Sequence, residues 1–205
     1  MANAMVIDLS HHNASVDFVK LKAAGVVGVI HKATQGTTYT DPMFASRRTQ
    51  AQAAGLLWGA YHFASNEDPV AQENYFLSKA EPARGDLVAL DFEPNLPNSS
   101  MSLGQAKAYL QRIEADLGRR AVLYTGSLVR DLLGTQVDSY LGQHRLWWAQ
   151  YANAAVIQAS WTKYWLWQHS DGFHGAPPLS VDGVGPCDCD TYDGTPAQLR
   201  AEWAS

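Results

Sequence analysis

The stretch Leu87-Val88-Ala89-Leu90-Asp91-Phe92-Glu93 is a short apolar run that ends in two carboxylates. Its composition predicts a buried β-strand. Comparable apolar or β-branched runs recur on both sides of it, and they are Met5–Asp8, Val26–Lys32, Leu57–Phe63, Ala121–Thr125, Leu146–Gln150 and Trp165–His169. Helical stretches separate the earlier runs, and this alternation predicts a mostly parallel sheet.

The predicted helices show apolar residues spaced by about 3.6 positions. They are Val16–Ala24, Asp41–Ala54, Val70–Leu77, Ser102–Leu117 and a last one near Ala197–Trp203. Beyond about Tyr151 strand and loop predominate. Seven or eight strands in this order fit either a doubly wound open sheet or a barrel. No Gly-x-Gly-x-x-Gly follows the first strand, which excludes the simplest dinucleotide-binding sheet, and we therefore favour a barrel.

The composition indicates one folded domain that does not bind nucleic acid. The chain has 205 residues, of which 46% are hydrophobic and 17% charged, enough apolar material for a sizeable core. The formal net charge is −5, and lysine and arginine form no basic stripe. The segment Met1–Met5 lacks the basic and apolar regions of a secretory signal, and no apolar run approaches the length of a membrane span. We expect no membrane insertion.

The two cysteines, Cys187 and Cys189, are separated by one residue, too close for an unstrained disulfide. We expect reduced thiols. Alternation along a strand would send both thiols to one face and the carboxylates of Asp188 and Asp190 to the other. Zinc sites also favour a two-residue spacer between cysteines, so the segment predicts no metal site.

Polar side chains gather at the ends of the predicted strands. In a βα barrel, the carboxyl ends of the strands carry the chemistry, and polar groups placed there cost free energy unless they are paired or hydrated. The pattern therefore predicts a polar cleft. The residues are Asp8, His31-Lys32, Tyr61-His62, Asp91 and Glu93, Tyr124, Gln150-Tyr151 and Gln168-His169.

Asp91 and Glu93 are the candidate reacting groups. Side chains alternate across a strand, so both carboxylates should face one way, roughly 6–7 Å apart, with Phe92 facing the other. Burial beside Asp8 should raise the pKa of at least one of them, and paired carboxylates are the usual equipment for glycosidic hydrolysis. The alternative is a pair of solvated charges at a strand end, and Asp-x-Glu alone does not decide between them.

Other polar and aromatic residues have two interpretations each. Tyr61 and Tyr124 could hydrogen-bond a substrate or belong to the core. Trp148 and Trp167 could stack on sugars or pack inside, and the neighbouring Gln168 favours the cleft for Trp167. The remaining candidates are histidines that could contact substrate or serve a structural role, namely His11, His12 and His62.

Eight sequence blocks occur in the order seen in the lysozymes of glycoside hydrolase family 25, and the whole chain resembles that family. The closing Asp188-x-Asp190-x-Tyr192-x-Gly194 also resembles the final strand and turn of the family. The blocks are Ile7-Asp8-Leu9-Ser10, His31-Lys32-Ala33-Thr34-Gln35-Gly36, Tyr39-x-Asp41-Pro42-x-Phe44, Ala54-Gly55-Leu56, Trp58-Gly59-Ala60-Tyr61-His62-Phe63, Leu90-Asp91-Phe92-Glu93, Leu146-Trp147-Trp148-Ala149-Gln150-Tyr151 and Trp167-Gln168.

The resemblance implies an α/β fold, a single TIM-like βα barrel of the (β/α)5(β)3 type with irregular last strands, over residues 1–205. It implies N-acetylmuramidase activity on the β-1,4 bond of peptidoglycan, with no metal or other cofactor. Glu93 would be the general acid, Asp91 its partner, and Asp8 and Asp188 flanking acids. The implied mechanism is substrate-assisted, although the predicted spacing is ambiguous between retaining and inverting enzymes. The substrate-binding candidates are Lys32, Tyr61, Tyr124, Gln150, Trp167 and Gln168.

One residue departs from the resemblance. The family usually has glutamate where this chain has Gln35. Glutamine keeps the hydrogen bonds and loses the charge, so we expect altered binding or pH optimum rather than an inactive site.

Two functions from other classes are alternatives to a glycosidase. One is a wall-binding module that has lost catalysis, which the four acids disfavour, and the other is a metal-dependent carbohydrate deacetylase, which the absence of a His-x-x-x-His pair disfavours. The expected partners are peptidoglycan glycan strands, and the expected state is a monomer. We expect action on the cell wall, with a phage or prophage endolysin as the simplest origin.

Overall fold

The computed structural model describes residues 4–205, and its centre is a closed barrel of eight strands. In chain order the strands are β1 Ala4–Leu9, β2 Val26–Gln35, β3 Tyr39–Thr40, β4 Leu57–Phe63, β5 Leu87–Phe92, β6 Val122–Thr125, β7 Leu146–Ala149, β8 Leu166–Asp171, β9 Ser180–Val181, β10 Gly185–Pro186 and β11 Asp188–Tyr192. The barrel runs β1-β2-β4-β5-β6-β7-β8-β11, and β11 pairs with β1 to close it. All neighbours are parallel except β11, which is antiparallel to both β8 and β1.

The first five barrel strands are each followed by a helix, as the (β/α)5(β)3 prediction requires, and α6 follows the last strand. The α-helices are α1 Phe18–Ala23, α2 Phe44–Ala53, α3 Pro69–Ala80, α4 Leu103–Leu117, α5 Ser127–Leu133 and α6 Pro196–Glu202. No α-helix lies between β7, β8 and β11; a short hairpin of β9 and β10 precedes β11. The predicted fold class is therefore confirmed. None of the helices in the part of the chain described here is long and apolar enough to cross a bilayer.

The local sequence explains why α4 was predicted and α5 was not. Ser102 and Gln105 form a reciprocal capping box at the start of α4, and Gly118 ends it in the left-handed conformation. By contrast, α5 has seven residues, and Gly126 before it supplies no side-chain cap. Two turns are too few for a 3.6-residue period to stand out from an apolar background.

Alternation along the strands separates an outer core from the barrel interior. Leu90 and Phe92 are fully buried and share one cluster with Phe76 of α3 and Leu110 of α4. Ala89, of opposite parity, belongs to a second cluster inside the barrel. The same parity therefore directs Asp91 into the interior.

The C-terminal helix α6 closes the amino-terminal end of the barrel. The indole Nε1 of Trp203 donates to the carbonyl oxygen of Trp58 at 2.7 Å, and the Trp203 ring lies in the interior cluster. A Cβ built on Gly28 would be 2.7 Å from that ring, so glycine lets the indole approach the sheet. With this end filled, the interior is accessible from the carboxyl ends of the parallel strands.

Candidate active site

A cavity of about 250 Å³ lies at the carboxyl ends of the parallel strands. The antiparallel strand β11 contributes its first residue, Asp188, which is in register with Asp8 at the end of β1. Reversal of β11 thus places two acids from opposite ends of the chain side by side. The lining residues are Asp8, Ser10, His12, Lys32, Tyr61, Phe63, Asp91, Glu93, Tyr124, Trp147, Tyr151, Gln168 and Asp188.

The structure brings together the four predicted acids and four of the six predicted substrate-binding residues. Trp167 and Gln150 do not line this cavity. The side chain of Gln168 points inward, so that of Trp167 points outward, where it packs on the outer core and its Nε1 donates to the Gln150 carbonyl oxygen at 2.9 Å. Gln150 lines an adjoining cavity.

Gln168 links Asp8 to two phenols. Its Nε2 donates to Asp8 Oδ2 at 2.7 Å. Its Oε1 accepts from Tyr124 Oη at 2.8 Å and from Tyr151 Oη at 3.0 Å. Because two hydroxyl donors occupy Oε1, the amide orientation is settled and the Asp8 carboxylate faces an N–H donor. This network holds Asp8 and Tyr124 in place at the cavity wall.

Asp91 and Glu93 line the same cavity while Phe92 is buried in the outer core, as alternation predicted. Asp91 is the deeper of the two, with 6% of its surface exposed, and its Oδ1 lacks a hydrogen-bond partner within residues 4–205. Glu93 lies just past the end of β5 and is partly exposed. The shallower carboxyl is therefore the one that a bound glycan reaches more readily.

Burial and mutual repulsion raise the pKa values of the acids. Burial, with Asp188 next in importance, raises the pKa of Glu93 to about 7. Burial, with Asp171 next, raises the pKa of Asp188 to about 6. The pKa values of Asp8 and Asp91 are also raised, mainly by burial and then by neighbouring carboxylates. A carboxyl that keeps its proton near neutral pH is suited to general acid catalysis.

Lys32 is the lysine that faces these acids across the cavity. Its positive charge lowers the pKa values of Asp91 and Glu93, against the larger effect of burial. Its Nζ donates to Gln35 Oε1 at 2.6 Å and lies 4.5 Å from the centre of the Phe63 ring. Since Gln35 is neutral, it holds the ammonium group without compensating its charge.

We expect Gln35→Glu to shift the basic limb of the pH–activity profile to higher pH. A carboxylate at this position would pair with Lys32 and reduce its effect on Glu93, so Glu93 would stay protonated at higher pH. The value of kcat/KM at the optimum should change by less than about fivefold, as for a partly exposed ion pair. The measurement is kcat/KM on glycan strands from pH 4 to 9. Gln52→Glu, exposed on α2, is the control; an unmoved profile in Gln35→Glu would place Gln35 outside the electrostatics of the cleft.

A fifth acid, Asp190, lies beneath the cavity. Its side chain is fully buried, its Oδ1 accepts from Trp147 Nε1 at 2.6 Å, and its Oδ2 has no partner in the described chain. Burial raises its pKa well above the usual range, although the Trp147 hydrogen bond opposes the shift. The alternation argument placed Asp190 on the same face as Asp188, but the sequence does not reveal how deep it lies.

We expect Asp190→Asn to stabilise the protein at neutral pH. A carboxyl whose pKa is raised on folding holds its proton longer in the folded state, so stability falls as pH rises above the unfolded pKa. Asparagine keeps an oxygen for Trp147 and removes this penalty, on the order of 1–2 kcal/mol at pH 8. Thermal melts at pH 3.5 and pH 8 should show a gain at pH 8 only.

Asp138→Asn is a control of opposite sign for this measurement. Although burial raises the pKa of Asp138, hydrogen bonds from Lys107 and from two backbone N–H groups hold it below the usual value. Its stabilisation is therefore present above the unfolded pKa and is lost in acid. The Asn variant should melt lower at pH 8, and a stability loss in both variants would contradict the assignment for Asp190.

Of the histidine and tryptophan candidates, some lie at the cavity and others lie outside the barrel. His62 is fully buried, bonded to Thr34 Oγ1 at 2.8 Å and to Gln72 Oε1 at 3.1 Å, and stacked on Tyr109 outside the barrel. His12 lines the cavity, while His11 Nδ1 contacts Asp41 at 2.9 Å. Trp148 is fully buried in the outer core.

Tyr151 lines the cavity, as expected for a polar residue at a strand end, and so does Trp147, which did not stand among the predicted site residues. Trp147 pairs with Tyr124 across β6 and β7, and the two rings meet edge to face at 4.6 Å. The parity of β7 sends Trp147 inward and Trp148 outward. Which of two adjacent tryptophans faces inward depends on strand register, and this was not available from the sequence.

The two cysteines lie on the outside of the barrel wall. Cys187 and Cys189 are free thiols in the outer core, with their Sγ atoms 3.8 Å apart. The carboxylates of Asp188 and Asp190 face the interior, so alternation holds along this strand as predicted. Within residues 4–205 no three His, Cys, Asp or Glu side chains are placed to hold a metal ion.

Comparison with known proteins agrees with this geometry. The family described as Glycosyl hydrolases family 25 matches residues 7–175. The chain is 30% identical to the N,O-diacetylmuramidase of Chalaropsis sp., over 81% of this chain and 87% of that protein. It is 28% identical to Lysozyme M1 of Streptomyces globisporus, over 95% of this chain and 69% of that protein.

The fold is also similar to that of a solved lysozyme structure. The crystal structure of the bacterial lysozyme from Streptomyces coelicolor superposes with a TM-score of 0.87 at 28% identity, covering 100% of this chain and 98% of that one. The prediction of a glycoside hydrolase of the lysozyme kind is confirmed. The family match over residues 7–175, the relatives and the barrel agree that the chain belongs to glycosyl hydrolases family 25.

Proposed function

We propose that this enzyme hydrolyses the β-1,4 bond between N-acetylmuramic acid and N-acetylglucosamine in peptidoglycan, and that it acts on the cell wall. The observation that carries the proposal is the pair Asp91 and Glu93 on one face of β5, inside a polar cavity in which the pKa of Glu93 is about 7. The relatives named above are a muramidase and a lysozyme, which supports the same substrate.

Glu93 is the general acid in this proposal. At pH below about 7 its carboxyl holds a proton, which it donates to the glycosidic oxygen as the bond to the anomeric carbon breaks. The leaving sugar departs with a free hydroxyl group. The Glu93 carboxylate, stabilised by Lys32 across the cavity, then accepts a proton from the water that completes hydrolysis.

Asp91 assists the substrate's own N-acetyl group. Its carboxyl group lies deeper than that of Glu93, and one Oδ atom has no partner within residues 4–205. Burial raises the pKa of Asp91, while the charge of Lys32 favours its ionised form, and in that form the free oxygen accepts the amide N–H of the sugar. That hydrogen bond orients the acetamido oxygen for attack on the anomeric carbon and stabilises the positive charge that develops on the ring. Water then opens this cyclic intermediate, and the product retains its configuration.

Tyr61 and Tyr124 line the wall beside these carboxylates, and Gln168 holds Tyr124 in position. A phenol held in one position at the cavity wall limits the orientations that a bound sugar can take. In this proposal Tyr61, Tyr124, Gln168 and Lys32 contact substrate. Asp188 raises the pKa values of Asp8, Asp91 and Glu93 and so sets the charge of the cavity, and Asp8 is held at the wall by Gln168.

Reducing-end analysis of digested sacculi tests the function. Purified walls are digested, reduced with borohydride, hydrolysed and analysed by mass spectrometry, with a Glu93→Gln digest as the blank. New reducing ends should be N-acetylmuramic acid. Reducing N-acetylglucosamine would overturn the proposed bond, and the absence of any new reducing end would overturn the proposed hydrolase activity.

A further inference from the structure

A second cavity of about 310 Å³ adjoins the catalytic one. The two share Glu93, Tyr124 and Tyr151, so a chain of sugar units bound at Glu93 can extend from one into the other. The second cavity is formed by the loops that follow β5, β6 and β7. Its lining residues are Glu93, Pro94, Tyr124, Gly126, Ser127, Arg130, Ala149, Gln150 and Tyr151.

The wall opposite Glu93 presents hydrogen-bond donors. Arg130 of α5 is exposed, and within residues 4–205 its guanidinium makes neither an ion pair nor a hydrogen bond to another residue. Gln150 Oε1 accepts from Trp148 Nε1 at 3.0 Å and from Val156 N at 2.7 Å. Because its oxygen is occupied twice, Gln150 offers its NH₂ group to a ligand.

The backbone of this cavity is closely packed. A Cβ built on Gly126 would lie 2.6 Å from the Ala149 carbonyl oxygen, so the loop after β6 lies directly against the end of β7. The helix α5 begins at the next residue and carries Arg130. Because α5 is anchored at Gly126, Arg130 stays on one side of the cleft. A charge held at one position favours binding of a ligand in one orientation.

The charges of the two cavities differ. The catalytic cavity is lined by four acids and one lysine, while the charged residues that line the second cavity are Glu93 and Arg130. A planar guanidinium binds carboxylate oxygens in a two-pronged geometry that an ammonium group does not match. The ligand that fits a guanidinium beside an amide NH₂ is a carboxylate.

We propose that Arg130 and Gln150 form a subsite for a carboxylate carried by the glycan strand, and that this subsite makes the enzyme selective for acidic over neutral strands. The inference rests on the proposed function, since N-acetylmuramic acid carries a lactyl substituent. That substituent is itself a carboxylate in strands without peptide, and in peptide-bearing strands the carboxylates belong to the peptide. The recognised chemistry is the same in both.

The test compares Arg130→Gln with wild type on three substrates: peptide-free glycan strands, the same strands with their lactyl carboxylates converted to amides, and peptide-bearing strands. Arg200→Gln, exposed on α6, is the matched control. Wild type should lose about tenfold in kcat/KM when the carboxylates are amidated, the size expected of one charge-assisted hydrogen bond. Arg130→Gln should lose about tenfold on the acidic strands, through KM, and should not respond to amidation.

The outcomes separate the subsite from the function. Wild type that cleaves no substrate overturns the proposed function, whatever Arg130 does. Arg130→Gln that follows wild type on both the peptide-free acidic strands and the peptide-bearing strands overturns the subsite and leaves the function standing. A loss in Arg130→Gln confined to peptide-bearing strands supports the subsite and identifies the peptide carboxylates as its ligand.

Discussion

Glu93→Gln is expected to lower kcat by about a thousandfold, within the range known for loss of a positioned general acid. Glutamine has the same shape and still donates a hydrogen bond, but it has no proton to transfer, so KM should change by less than about threefold. The measurement is the rate of reducing-end release from purified glycan strands. Circular dichroism melts establish that the variant folds.

The pH dependence gives a second readout of the same residue. Because the pKa of Glu93 is about 7, wild-type activity should fall as pH rises through that value, and the residual activity of Glu93→Gln should lack this limb. Glu114→Gln, which removes a surface carboxylate paired with Arg120, is the control and should behave as wild type. Residual activity in Glu93→Gln that retains the basic limb would assign the acid to another residue, with Asp188 next in line.

Asp91→Asn is expected to lower kcat by about a hundredfold, since it removes negative charge from the position where the substrate's amide is oriented. The loss should be smaller than for Glu93→Gln because the N-acetyl group can still attack without assistance. Rates are measured on the same glycan strands, and the anomeric configuration of the product is read by NMR before it mutarotates. Wild type should give the retained anomer.

The controls for this variant distinguish assistance from direct attack. Asp182→Asn, an exposed carboxylate outside the cavity, should leave kcat unchanged. Azide added to Asp91→Ala should yield no glycosyl azide of inverted configuration if the nucleophile belongs to the substrate. Formation of that azide would make Asp91 itself the nucleophile, and an inverted wild-type product would exclude the substrate-assisted route.

The raised pKa values of Asp91 and Asp190 indicate that burial of these ionised carboxyls opposes folding at neutral pH. Asp91 and Asp190 are buried carboxyls with oxygen atoms that lack partners within residues 4–205. Burying such groups costs free energy that the rest of the barrel offsets. Stabilisation in Asp190→Asn would show that this carboxyl lowers the free energy of unfolding. Loss of activity in Asp91→Asn would show that the Asp91 carboxyl is needed for the reaction.

Strand positions were predictable because a buried parallel strand needs a short apolar run, and such a run is visible without knowledge of its neighbours. Each of the seven predicted runs overlaps one barrel strand. The helix α5 was missed because its seven residues carry no capping signal. It matters for function because it carries Arg130.

The sequence by itself determined that Asp91 and Glu93 lie on one face of their strand and Phe92 on the other. This arrangement depends only on the two-residue repeat of an extended backbone. The tertiary structure decided what lies beside these residues. The reversed direction of β11 sets Asp188 next to Asp8, and the pairing of β6 with β7 turns Trp147 rather than Trp148 inward. Register and strand order arise from contacts between segments far apart in the chain, so no local pattern contains them.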